Sequence, residues 1–450
     1  MDIINIPKAL ETATEKSLLD YINEFDMTPP EYGFSFLLTN RVKDGGGDYD
    51  LYNENYTITI QNTDKYIIKA YDVDNNIVQT IESFSGATPN LLTVSNHSTN
   101  TPFGYLTKYS IEPKNTSNPI TNFTFDAKKC LAAIVFGANS LNAITDLSLK
   151  FRNNKTLVKS ILPVDCHQVT TYLSMFEECI NHRSTTLPTN MSGALTLEKM
   201  YYNNNLEQSD ILLPTMDNCA SLASTFYNCG LLRSITFPAN MPALLSINTG
   251  LGGLSSITEI NLPAMANVTD LSANSNMINV TEVSYPATLN SLTTLASCLY
   301  NMLNLESITL PTSMTALVTF FSGSTAYKLH TMTKCTNYGT NQISANIGVL
   351  LALAAFDQPM RCSKFVLTGQ SATYPSVLAA CEIDWANSTF GGTSPQIDLR
   401  YNILDTTELD RILTALPVVT GKTINIASNP GSATCDPTIA TAKGWTVTIS

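Results

Sequence analysis

Seven prolines divide the middle of this 450-residue chain at nearly constant intervals. Pro163, Pro188, Pro214, Pro238, Pro263, Pro286 and Pro311 are spaced by 25, 26, 24, 25, 23 and 25 residues, and similar phrases end on them, as in LRSITFP, ITEINLP and NLESITLP. A fixed period of this size is the signature of a solenoid, in which each unit can bury its apolar face only against its neighbours. The residue before each proline is large and apolar: Leu162, Leu187, Leu213, Phe237, Leu262, Tyr285 and Leu310. Three before it stand Ser160, Thr185, Ile211, Ile235, Ile260, Val283 and Ile308. This alternation predicts a short strand with one buried face, closed by a proline that cannot donate to a ladder.

Roughly a dozen residues past each proline comes an aromatic or aliphatic anchor and then a small polar residue: FEEC at 176–179, YNNN at 202–205, FYNC at 226–229 and LYNM at 299–302. One strand and one compact return segment per turn is what a stacked coil requires. The ten cysteines contain no C-x-x-C pair, and the four histidines do not cluster, so no zinc site is predicted and no cofactor or metal is expected. Cys179 and Cys229 lie 50 residues apart, two periods, and read as buried free thiols in corresponding places of the repeat.

The pattern L-x-S-I-x-L-P followed by F-x-x-C-x-x-L resembles the BspA-like leucine-rich repeats, found in surface proteins of Bacteroidales and in proteins of their phages. The resemblance covers roughly residues 155 to 330, with GLGGL and SANSN departing from it near 250 and 275. It implies a leucine-rich-repeat solenoid that presents a recognition surface, as in a tail fibre or related virion appendage.

Beyond 335 the marker prolines stop. IDLRYNIL at 397–404 and INIASNPG at 424–431 are alternating strands that close on Asn402 and Asn429, residues expected to satisfy backbone groups of neighbouring turns. A helix is predicted over TTELDRILTALP, and CDPTIATAKGWTVTIS resembles a C-terminal cap. Near the start, residues 6–25 have amphipathic helical spacing, DGGGD at 44–48 reads as a joint, and NYTITIQ, KYIIKAYDVDNNIVQTI and NFTFDAKK read as strands. Asp72, Asp74 and Asn76 open like a calcium loop, but Ile77 and Ser83 stand where Gly and Glu are needed, so a hairpin turn is expected. The expected fold class is α+β, a leucine-rich-repeat solenoid with a small N-terminal helix plus β domain. Its expected parts are a helical anchor segment at 1–45, a β-rich domain at 46–140, the solenoid at 141–335, and divergent repeats with a cap at 336–450. Deleting 1–140 should then leave a solenoid that folds.

Composition narrows the function. A net charge of −12 with no cluster of Lys or Arg argues against nucleic-acid binding. Charged residues are only 14%, so neutral Asn, Thr and Ser must cover the surface. The longest apolar run, IGVLLALAAF at 347–356, is half a membrane span and reads as a buried helix, so no membrane insertion is expected. The N-terminus lacks a basic stretch followed by an apolar one, so export by the general route is not expected. No nucleophile elbow, P-loop, dinucleotide fingerprint or H-E-x-x-H is present, and no catalytic residue is assigned.

What remains is surface. The outward columns beside the buried strand positions hold Asp210, Thr236, Glu259, Asn261, Glu282, Ser284 and Thr309, groups able to hydrogen-bond an extended polar partner. Tyr202, Tyr227 and Tyr300 either stack on sugar rings or lie partly buried in the coil. Glu259 and Glu282 fall in one column of adjacent turns, a pair that solvates a sheet face or spans the 5 to 9.5 Å or so that a glycosidase needs. The expectation is a non-enzymatic virion protein, made in host cytoplasm, that touches other virion proteins through residues 1–140 and a host-surface glycan or protein through the solenoid. A homo-oligomer is compatible with this reading. The alternatives are a bacterial cell-surface adhesin exported by another route, an intracellular scaffold, and a polysaccharide depolymerase.

Overall fold

The computed structural model describes residues 17–39, 41–43, 49–51, 55–61, 64–72, 74–83, 90–93, 99–101, 104–125, 131–207, 210–287, 289, 291–292, 298, 302, 304–309, 334–336, 342–346, 361–366, 385–391 and 394–450. The chain divides into two compact units, Met1–Met241 and Pro242–Ser450. The boundaries expected at 45 and 140 fall inside the first unit, and the division at 241 falls inside the expected solenoid.

Helix α1 (Leu18–Glu24) opens on a capping box, the Ser17 hydroxyl accepting from the Asp20 N–H while the Asp20 carboxylate accepts from the Ser17 N–H. It is the end of the helix expected at 6–25; residues 6–16, the joint at 44–48 and the apolar run at 347–356 lie outside the described residues. Then come β1 (Phe34–Thr39), β2 (Arg41–Lys43), β3 (Tyr49–Leu51), β4 (Asn55–Gln61), β5 (Tyr66–Tyr71), β6 (Ile77–Ser83), β7 (Asn90–Thr93), β8 (Thr99–Thr101), β9 (Gly104–Pro113), β10 (Asn122–Phe125) and β11 (Leu131–Phe136). The turn between β5 and β6 is a hairpin turn: the Asp72 carboxylate accepts from the Asp74 and Asn76 N–H groups, and Asn75 takes φ 64°. The carboxylate that the calcium-like spacing suggested is thus engaged by backbone.

Strand β1 lies in the middle of an eight-stranded sheet, hydrogen-bonded to β9 on one side and β11 on the other. On its far side β11 pairs in parallel with β12 (Lys159–Ile161), which pairs with β13 (Ser184–Thr186). The β domain therefore supplies the first rung of the solenoid, Ile134 standing in register with Ser160 and Thr185. This corrects the expectation of a separable N-terminal mount. Apolar packing continues through the same junction, where Phe151 of the first coil meets Phe123, Phe125 and Phe136.

The rungs β14 (Ile211–Leu212) and β15 (Ile235–Thr236) continue the first unit. The second unit holds β16 (Glu259–Asn261), β17 (Glu282–Ser284), β18 (Ser307–Thr309), β19 (Lys334–Thr336), β20 (Gln342–Asn346), β21 (Arg361–Val366), β22 (Ile397–Asp398), α2 (Thr406–Ala415), β23 (Lys422–Asn425), α3 (Thr438–Thr441) and β24 (Trp445–Thr448). From β12 to β18 each strand stops two residues short of its marker proline, as the pattern predicts. Helix α2 carries a second capping box, Asp405 with Glu408, and strands β20 to β24 form one parallel sheet. Asn429 is buried and donates to the Leu399 carbonyl of the preceding turn, while Asn402 donates to Leu399 within its own. Among the described residues no helix is long and apolar enough to cross a membrane.

Among the described residues, the return segments of the first unit contain no helix. Each turns with two left-handed residues four apart: Leu149 and Asn153, Ser174 and Glu178, Lys199 and Asn203, Ser224 and Asn228. Before each pair a short polar side chain accepts from the N–H two residues on, as Asp146 does from Ser148 and Thr196 from Glu198. Inside, Phe151, Phe176, Tyr201 and Phe226 stack as a column, with centroids 5.3, 5.4 and 5.8 Å apart. A second column runs beside it: Cys179, Asn204 and Cys229 each donate to the carbonyl of the aromatic residue one turn back, Phe151, Phe176 and Tyr201. The two cysteines occupy corresponding places and are free and buried, and burial pushes the Cys229 thiol up to about 12. Tyr201, not Tyr202, is the third anchor; the return segment begins one residue earlier than the YNNN reading placed it.

One histidine is sealed into this core. His182 Nδ1 lies 3.0 Å from Asn204 Oδ1, and its Nε2 lies 3.0 Å from the Ser160 hydroxyl, which meets Thr185 and through it Tyr201. Because the Asn204 amide donates to Phe176, its oxygen faces the ring, and the neutral tautomer protonated at Nδ1 satisfies every member. Desolvation holds the imidazole down to about 4, against 6.5 for a free histidine. The unfolded chain therefore takes up the proton first, and stability present above pH 6.5 should be lost between there and pH 4, by about 3 kcal/mol at most. Denaturant midpoints at pH 7 and pH 4.5 check this, and His182→Gln should flatten the difference.

Candidate functional site

The strand face is built by alternation. In β16, β17 and β18 the central residues Ile260, Val283 and Ile308 are buried, so their neighbours point outward. Parallel pairing then aligns those neighbours into two files: Glu259, Glu282 and Ser307 in one, and Asn261, Ser284 and Thr309 in the other. Successive groups in a file are about 4.8 Å apart. Glu306 stands outside the first file, since Glu282 is opposite Ser307.

These polar groups differ in how the fold uses them. Asp210 is engaged internally: its carboxylate accepts from the Ser234 hydroxyl at 2.8 Å and from the Thr236 hydroxyl at 3.1 Å. Elsewhere asparagines bind turn to turn, as Asn205 does to the Ile180 carbonyl at 2.5 Å and Asn279 to Ser255 at 2.7 Å. The side chains of Glu259, Asn261, Glu282 and Ser284 make no hydrogen bond or ion pair among the described residues; the first three are exposed and Ser284 is half-buried. Their hydrogen-bonding capacity is directed at solvent.

The tyrosines lie elsewhere. Tyr202 and Tyr227 project from the return segment and stack on each other, with centroids 5.1 Å apart and rings 16° from parallel. Both are half-buried, and burial with the neighbouring Tyr227 raises the Tyr202 phenol. Between them one ring face of each is occupied, which leaves at most the outer face of each ring for a sugar. Tyr300 lies outside the described residues. The nine described candidates thus fall into Asp210 and Thr236 on strands of the first unit, Glu259, Asn261, Glu282, Ser284 and Thr309 on strands of the second, and a separate tyrosine pair.

Sequence reasoning did not separate Asp210 and Thr236, bonded to each other, from the unengaged residues of β16 and β17. The signal lies one turn on: Asp210 is followed at the next rung by Ser234 and Thr236, two hydroxyl donors within reach, whereas Glu259 is followed by another acceptor, Glu282. Among the described residues, no three His, Cys, Asp or Glu side chains converge as a metal site would require.

Residues 195–333 match the family model described as BspA type Leucine rich repeat region, in six copies. The repeats are similar to those of the BspA type. The match contains all ten candidate residues, and the rungs at Lys159–Ile161 and Ser184–Thr186 extend the same coil ahead of it. No curated protein and no solved structure matches the chain. The match thus bears on the scaffold of the strand face.

Proposed function

We propose that this is a non-enzymatic binding protein of the surface-attachment kind, whose BspA-type solenoid engages an extended glycan along the strand face. The observation that carries the reading is the file pair Glu259, Glu282 and Asn261, Ser284: aligned, solvent-facing and unused by the fold. A polysaccharide repeats hydroxyl groups along its length, and rungs repeating every 4.8 Å or so offer acceptors and amides to match them. The finer reading is a virion protein, a tail fibre or related appendage that attaches a phage to its host, with the first 140 residues facing other virion proteins. The resemblance of the repeats to those of phage and bacterial surface proteins supports it.

Binding to purified surface polysaccharides should weaken about tenfold for Glu259→Ala or Glu282→Ala, since each removes a charged acceptor. The unfolding midpoint should not change, because neither side chain is engaged in the fold. Unchanged affinity in both variants would remove the strand face as the site. Peptide mass spectrometry of density-purified phage particles checks the setting: several copies per particle are expected, and recovery in a bacterial envelope fraction instead would favour an adhesin. The alignment of Glu259 with Glu282 favours a depolymerase as the second reading, and it would require reducing ends to appear with the wild type and not with Glu259→Gln.

A further inference from the structure

Strand β6 ends the eight-stranded sheet, and among the described residues its outer edge meets no other strand. Edge strands are usually blunted by charges, proline, bulges or a covering element, because their free N–H and C=O groups accept further strands. This one, IVQTIES, is seven residues long, has no proline or glycine, and is exposed along most of its length, with Ile77 at 53% and Val78 at 37%. Its single charge is Glu82, which is held by Lys65 at 2.9 Å and Lys114 at 2.8 Å. The inner edge is fixed by β5 in regular register from Tyr66↔Ser83 to Ala70↔Gln79, and a bulge at Val78 precedes Tyr71↔Ile77, so Gln79–Ser83 is the regular part of the template and the bulge is confined to its first end.

We propose that β6 is a dimerisation edge that pairs antiparallel with β6 of a second copy of this chain, about a two-fold axis at Thr80. The sequence is self-complementary in that register. Ile77 faces Ser83 of the other copy, Val78 faces Glu82, Gln79 faces Ile81, and Thr80 faces Thr80. No like charges oppose one another, and a Thr–Thr pair is among the favourable cross-strand pairs. The only charge in the strand is neutralised from its own sheet, so pairing brings no net repulsion to the edge. A second copy supplies a strand of equal length with matching pattern, which a foreign segment would have to reproduce. The result is one continuous sheet through both copies. This inference does not depend on the ligand of the strand face.

Sedimentation equilibrium of the full chain should show mass rising towards a dimer as concentration approaches about 100 µM, since an interface of one strand pair is small and weak. Thr80→Lys places two lysines, one from each copy, directly opposite across the axis and should raise the dissociation constant by about tenfold or more, leaving the unfolding midpoint unchanged. Register has its own test. Thr80→Cys should form a disulfide-linked dimer on mild oxidation, because residues directly opposite are within disulfide reach, whereas Val78→Cys, which faces Glu82, should not. The wild type is the control, and the six described cysteines are all buried. A monomer throughout the concentration range, a dimer that survives the two lysines, or linkage through position 78 rather than 80 would each overturn the proposal.

Discussion

A chain that starts at Gly137 is expected to be recovered aggregated or unfolded. The sequence presents the first 140 residues as a domain of their own, yet β11 is hydrogen-bonded in parallel with β12 and closes the open end of the coil. Without it, Lys159–Ile161 becomes an unprotected edge, the Val158 N–H loses its partner, the Ala132 carbonyl, and Thr156 loses Leu131. Phe151 loses Phe123, Phe125 and Phe136 together, and Val158 loses the cluster it shares with Ile22, Leu37 and Ala133. Exposing a handful of side chains that each gain about 2–3 kcal/mol from burial removes an amount comparable with the roughly 5–15 kcal/mol of a typical domain. Terminal repeats of solenoids need a cap for this reason. Soluble yield and the far-ultraviolet spectrum of the shortened chain, against the full one, check the expectation. A monomer with the native unfolding midpoint would mean that the first coil closes itself.

The difference between what could be read and what could not follows from range. In most turns the strand is written locally, in a β-branched residue three before a proline, and Ile260, Val283 and Ile308 are buried accordingly. The return segment was misplaced by one residue at Tyr201 because it was measured from the prolines, whose spacing varies. The aromatic column keeps its own period, 25 residues from Phe151 to Phe176 to Tyr201 to Phe226, and counting along it would have chosen correctly. The placement of β1 between β9 and β11 could not be read at all, since pairing of strands about 70 and 100 residues apart leaves no local trace. Alternation likewise shows that Asp210 and Glu259 point outward, but only the neighbouring rung decides that Asp210 is bonded to Ser234 while Glu259 is not. The outward direction of these side chains is therefore legible in the sequence, and their bonding is not.

Phe176→Ala should cost about 3–5 kcal/mol, the range for deleting a buried aromatic side chain. Phe176 lies between two stacked rings, Phe151 at 5.3 Å and Tyr201 at 5.4 Å, and touches His182 at 4.8 Å, so the cavity would open on a column that joins consecutive coils of the first unit. Its carbonyl also receives the Asn204 amide, which positions the His182 chain, so any shift of the backbone would loosen two columns at once. Stability in a repeat array is a sum of units and the contacts between neighbours, and this substitution weakens two contacts, not one. Phe176→Leu should cost markedly less, because Leu251 occupies the same place in a later repeat and is buried there. Denaturant unfolding followed by circular dichroism tests both: a lower midpoint with a broader transition is expected for the alanine variant, as coils on either side begin to unfold separately. An equal loss for alanine and leucine would show that ring stacking, and not filled volume, holds neighbouring coils together.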